Sequence, residues 1–156
     1  MTPRDFIITA LELANSGKGK PRQSNLRRAA STAYYALFHT LAKCCADLLV
    51  GGQGADRSNP AWIQAYRALE HGSAKTACKR REIVNKFPKE IEDFANMFVT
   101  MQEKRHRADY DPNAKHLKSA VLNDIEAVTA VIDDFQNVPI KDRRAFSAFV
   151  LFKLRS

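Results

Sequence analysis

Apolar residues recur along this chain at steps of three and four, the period of a helix with one buried face, and no stretch shows the strict alternation of a strand. Thr2 suits the N-cap of a first helix, with Pro3 at its first position and Asp5 in its first turn. Phe6, Ala10, Leu13 and Ala14 form its stripe, and Ser16-Gly17 stops it. Gly17 to Gln23 reads as a basic loop carrying Lys18, Lys20 and Arg22. A second helix runs from Ser24 to about Val50, a rod of about 40 Å, with Leu26, Ala30, Ala33, Leu37, Leu41, Cys44 and Leu48 on one seam. Gly51-Gly52 ends it, and the glycines before Asn59 predict a mobile loop.

Asn59-Pro60 starts a third helix through Trp62, Ile63, Tyr66 and Leu69, ending near His71-Gly72. Ser73 to Asn85 is basic, with room for a short helix containing Lys79, Arg80 and Arg81. Pro88 opens a fourth main helix whose stripe is Ile91, Phe94, Phe98, Met101 and then Arg105. Asp111-Pro112-Asn113 breaks the chain. A further helix, from about Ala114 to Gln136, keeps Leu117, Val121, Ile125, Val128, Ile132 and Phe135 in phase, and Pro139 stops it. Asp142 to Leu154 reads as a last amphipathic helix carrying Phe146, Phe149, Val150 and Leu154. The pattern predicts an all-α, up-and-down bundle of four or five main helices plus a C-terminal helix at about 140–155, in a single domain over 1–156.

Composition adds bounds. A chain of 156 residues supports one domain with one core, and 45% apolar with 27% charged residues is ordinary for a globular protein. A net charge of +8 favours anionic partners such as nucleic acid, nucleotides or an anionic surface. Cys44, Cys45 and Cys78 are odd in number, two of them adjacent, which fits reduced small hydrophobes rather than a disulfide framework, and no spacing suggests zinc or another cofactor. The N-terminus has no apolar signal region and nothing approaches a membrane span, so the expected location is the cytoplasm, with no membrane partner.

Arg105 is the most informative residue. It follows Phe98 by seven, which returns a helix to within about 20° of the same face. A guanidinium on an apolar stripe must find partners or line a cleft, because burying it alone is costly. Asp109, four residues on, is in reach. The pair is therefore either an ion pair at the bundle end or part of an anion-binding site. Tyr110 follows as the helix ends and is expected to leave its hydroxyl near the arginine. His106 lies about 100° around the helix from Arg105 and is expected in solvent. On the second helix, Arg28, Thr32, Tyr35 and His39 form a polar and aromatic stripe beside the core seam, with Tyr34 and Phe38 widening the apolar surface.

Two segments together resemble the HEPN family. Leu26 to His39, with its Ala33-Tyr34-Tyr35-Ala36-Leu37-Phe38-His39 run, is similar to the family's early helix, and Arg105-His106-Arg107-Ala108-Asp109-Tyr110-Asp111-Pro112 is similar to the Arg-x-x-Ala-Asp-Tyr-Asp ending of a later one. The resemblance covers roughly residues 5 to 136 and leaves the C-terminal helix outside. It implies a helical bundle, often dimeric, in which the arginine regions of two subunits meet in a basic cleft. It also implies nucleotide or RNA binding, metal-free RNA cleavage in many members, and a nucleotidyltransferase-like partner in toxin–antitoxin or defence systems. The cleaving members carry an arginine followed, four to six residues on, by histidine. From Arg105 that histidine would fall among Tyr110, Asp111 and Pro112, and from Arg107 among Pro112, Asn113 and Ala114; His116 lies beyond both. The phosphate clamp is kept, while the expected proton carrier is missing.

The leading expectation is a dimeric nucleotide- or RNA-binding protein using Arg105, Asp109, Tyr110, Arg28, Tyr35 and His39, with no metal. A metal-independent endoribonuclease, with Arg105 as clamp and His39 or His106 as proton carrier, is the first alternative. The second is a non-catalytic interaction module whose docking surface would be the apolar side of the C-terminal helix. Lys141, Arg143, Arg144, Lys153 and Arg155 beside phenylalanines would also fit an interfacial membrane helix, although a helix closing the bundle explains the same pattern better.

Overall fold

A computed structural model describes residues 2–17 and 19–155; of the basic loop, Lys18 lies outside the described residues. The described chain is all-α. Its helices are α1 (Pro3–Ala14), α2 (Gln23–Leu49), α3 (Asn59–Arg67), α4 (His71–Cys78), α5 (Arg81–Val84), α6 (Lys89–Tyr110), α7 (Lys118–Gln136) and α8 (Ile140–Leu151).

The long helix α2 is the axis of the bundle, packing against α1, α3, α6, α7 and α8. Its wide apolar coverage is explained within the chain: Leu26, Ala33, Tyr34, Leu37, Leu41 and Cys45 are all sealed from solvent. Runs of alanine on this helix let neighbours approach closely. At one end of the core Phe94 stacks on Phe135 with ring centroids 4.3 Å apart, and Phe146 packs edge-on against Phe87, Phe94 and Phe135. At the other, Phe98 meets the Tyr34 ring at 5.4 Å. The three cysteines are free and buried, and burial raises each thiol above its usual range, as expected of small hydrophobes.

Local chemistry sets the helix ends. At α1, Thr2 Oγ1 accepts from the Asp5 N–H while Asp5 accepts from the Thr2 N–H at 2.7 Å, a reciprocal capping box. After α2, Gly51 adopts φ +134°, a region β-carbon residues avoid. The loop that follows is tied down: Arg57 donates to the Gly51 carbonyl and lies 4.7 Å from the Trp62 ring centre, and the Trp62 Nε1–H donates to Asp47 at 2.9 Å.

The expected boundaries need correction in four places. The third helix does not continue to His71-Gly72. It ends at Arg67, and His71 begins α4, because the chain turns at Ala68–Glu70 so that Leu69 can be buried and the His71 ring can lie on Phe38. The short basic helix is divided, with α4 ending at Cys78 and α5 starting at Arg81. The helix expected from Ala114 begins at Lys118, because Arg27 takes the Ala114 carbonyl and Gln23 takes both the N–H and the C=O of His116 at 2.8 Å. The last helix ends at Leu151 and leaves Leu154 exposed outside it.

Helix α8 buries Phe146, Ser147 and Val150 and half-buries Phe149. Its apolar face closes the bundle, so the docking surface expected along that face is already occupied by the chain's own core. Among the described residues no helix is long and apolar enough to cross a membrane.

Candidate functional site

The site is built where α2, α4 and α6 meet. The fully buried Tyr34 and the half-buried Tyr35 are consecutive on α2, so their rings leave the helix about 100° apart and can embrace one guest from two sides. That guest is Arg105. Its guanidinium carbon lies 5.2 Å from the centre of the Tyr34 ring and 5.7 Å from that of Tyr35, a double cation–π contact.

The guanidinium is held but incompletely satisfied. Nη1 donates to the Tyr35 hydroxyl at 3.3 Å and to Asp109 Oδ2 at 3.4 Å, both beyond the usual range for a strong bond. Nε is sealed from solvent and has no partner. Nη2 makes no hydrogen bond among the described residues and is not one of the sealed atoms. Only 14% of the side chain is exposed, so this cation is kept largely out of water with donors to spare. Asp109 also accepts from Ser31 Oγ at 3.4 Å, which joins the end of α6 to α2.

Arg27 places the end of α6. Its Nη1 donates to the carbonyls of Ala108 and Asp111 at 2.9 and 2.7 Å, and its Nη2 to those of Pro112 and Ala114. One guanidinium thus satisfies the orphan carbonyls that a helix end and the following turn leave open. Asp111 Oδ1 accepts from the Asn113 N–H at 2.9 Å and closes the turn. Much of the Ala-Asp-Tyr-Asp-Pro run therefore serves to end a helix.

One tyrosine–histidine couple borders the arginine, and a second lies further out, against Tyr35. The Tyr34 hydroxyl meets His71 Nδ1 at 2.6 Å, and His71 stacks on Phe38 at 3.9 Å. His39 Nδ1 meets the Tyr66 hydroxyl, and its ring stacks on Phe6 at 4.6 Å. Tyr35 touches both imidazoles, at 6.2 Å for His39 and 5.9 Å for His71. Burial lowers the pKa of both histidines; for His71 the nearby Arg105 charge and then His39 add to the effect. Burial likewise raises both partner phenols, Tyr34 far above its usual range.

Comparison of the chain with protein-family models, with curated proteins and with solved structures returns no match.

Of the expected site residues, the structure brings Arg105, Asp109 and Tyr35 together and sets His39 beside Tyr35. Arg28 is exposed on the same helix, about two turns before Tyr35. Tyr110 does not turn its ring toward the arginine: it is 67% exposed and packs on His106 at 4.9 Å. Five residues carry a helix about 140° past the starting face, which is why Tyr110 pairs with the exposed His106 rather than with Arg105. His71 and Tyr34 are the neighbours that the pattern did not disclose as site residues. Among the described residues no group of histidine, cysteine, aspartate or glutamate side chains is arranged to hold a metal ion. A depression of about 770 Å³ lies elsewhere, between α4 and the end of α8, with Ser73, Thr76, Arg80, Phe149 and Phe152 on its walls. Size does not outweigh chemistry here, because no comparable set of restrained donors lines it.

Proposed function

We propose that the chain binds a phosphate of a nucleotide or RNA through Arg105, as a dimeric, cytoplasmic protein of the HEPN type. The observation that carries the reading is the guanidinium itself: held largely out of water against two tyrosine rings, bonded only at long range through Nη1, and left with an unsealed Nη2 whose N–H groups a phosphate oxygen can accept from. A purely structural ion pair would be expected to bring Asp109 closer than 3.4 Å. The overall charge of +8 supplies attraction at longer range.

The test is binding of a labelled oligouridylate to the purified protein. Arg105→Ala is expected to weaken binding at least about tenfold, the worth of a charge-assisted hydrogen bond, while far-ultraviolet circular dichroism stays unchanged. Arg105→Ala that binds as well as the parent would refute the reading. The two-fold arrangement is tested by sedimentation, with a dimer expected.

A second reading, metal-independent RNA cleavage, is favoured by the two restrained histidines at Tyr35. Cleavage of RNA in EDTA that is lost in both His39→Gln and His71→Gln would establish it. A nucleotidyltransferase-like partner would be revealed by co-purification with the product of an adjacent reading frame.

A further inference from the structure

His71 is a buried-edge histidine that the sequence pattern assigned to the end of a helix. In the fold it opens α4 and enters the side-chain cluster that holds Arg105. The two residues share neighbours: Tyr34 contacts the imidazole through its hydroxyl and the guanidinium through its ring, and Tyr35 lies against both.

The bond to Tyr34 fixes the state of the imidazole. The Tyr34 hydroxyl is sealed in the core and has no other acceptor among the described residues. If His71 donated from Nδ1, the phenolic proton would be left without a partner, and a sealed donor without a partner is costly. The phenol therefore donates, Nδ1 accepts, and the ring proton sits on Nε2. Nε2 makes no hydrogen bond among the described residues and is not one of the sealed, unpartnered atoms, so it is open to a ligand. His39 repeats the arrangement with Tyr66.

We propose that His71 completes the Arg105 anion site, giving its Nε2–H to a bound phosphate and taking up a proton as the phosphate binds. The proposal rests on the phosphate-binding reading above. Free, the site cannot hold two positive charges cheaply, since the imidazole is part-buried beside a permanent guanidinium. A phosphodiester anion between them reverses that balance: the proton goes to Nδ1, which turns from accepting the Tyr34 phenol to donating to its oxygen, and the charge-assisted bond from the imidazolium to the anion has to outweigh the partner that the phenolic proton loses. Binding then draws one proton from solution onto His71, and affinity rises as the pH falls. The groups facing His71 are Tyr34, Tyr35 and His39 from α2, Arg105 from α6 and, beyond His39, Tyr66 from α3. Just after α8, which also packs on α4, Lys153 lines the neighbouring groove together with Glu70 and Arg80. Glu70, adjacent in the chain, is exposed and accepts from Ser73.

The test uses an oligouridylate without terminal phosphates, because phosphodiesters do not titrate over this range whereas a terminal phosphate has a pKa near 6. Its affinity is measured at about pH 5.5 and about pH 7.5, on either side of the ordinary histidine pKa. The parent is expected to bind about tenfold more tightly at the lower pH, and His71→Gln is expected to lose most of that difference. Imidazole nitrogen NMR of the unaltered protein gives a readout independent of any variant. The His71 signals should show the Nε2–H form when free and move toward imidazolium when the oligonucleotide is added near neutral pH. If the parent binds but neither its pH dependence nor the His71 signal changes as described, His71 is not part of the site and the Arg105 reading stands alone. If the parent binds no oligonucleotide at either pH, both proposals fall.

Discussion

The position of Arg105 on an apolar stripe raises a question of energy at the scale of one side chain. Burying a guanidinium without partners is expensive, and two bonds at 3.3 and 3.4 Å offset little of that cost. The faces of Tyr34 and Tyr35 supply more, each cation–π contact contributing about 0.5–2 kcal/mol. Replacing Tyr35 by Phe keeps the ring and removes the hydroxyl, so Tyr35→Phe should leave stability nearly unchanged while weakening oligonucleotide binding a few-fold, because the guanidinium loses an orienting partner. Parallel urea unfolding and binding titrations check this. Equal loss of binding and stability would make Tyr35 a packing residue only. Arg105 was legible in the sequence because a seven-residue step is a statement about one helix. His71 was not legible. Its partner Tyr34 is remote in the chain, and Gly72 beside it reads as a stop signal although it occupies the first turn of α4.

At the scale of elements, the end of α6 depends on α2. Arg27 gathers four carbonyl oxygens from the last turn of α6 and the turn behind it, and Gln23 pairs with the backbone of His116. Arg27→Met would leave these carbonyls unpaired in a part-buried place. It should cost about 1.5–3 kcal/mol in urea unfolding and raise hydrogen exchange across 111–117. Protection there equal to the parent's would show that the clamp is dispensable. The core carries larger penalties: Phe98→Ala, beneath Tyr34, should cost about 3–5 kcal/mol and disorder the tyrosine pair with it. The long helices and their buried stripes could be read from periodicity, since Leu26, Leu37, Leu41, Phe94, Phe98, Ile125 and Phe135 are all sealed as the pattern requires. The start of α7 could not, because the side chains that hold the backbone of Ala114 and His116 outside the helix come from α2, distant in sequence.

For the whole molecule, the bundle leaves one face where a restrained cation, a half-buried tyrosine and two imidazoles converge, on a chain of net charge +8. Fold class was decided by pattern alone, whereas the convergence is a product of packing α2, α4 and α6 together and has no signature in any single segment. On the binding account, general charge and the specific clamp separate by their response to salt. The general field weakens uniformly with ionic strength, and each phosphate contact adds its own increment to the slope of log affinity against log salt. The decisive measurement is that slope for an oligouridylate, in the parent and in Arg105→Gln. The account predicts weaker binding by the variant at every salt concentration and a slope shallower by about 0.7, one single-strand phosphate contact. An Arg105→Gln protein with the parent's affinity and the parent's slope would contradict it.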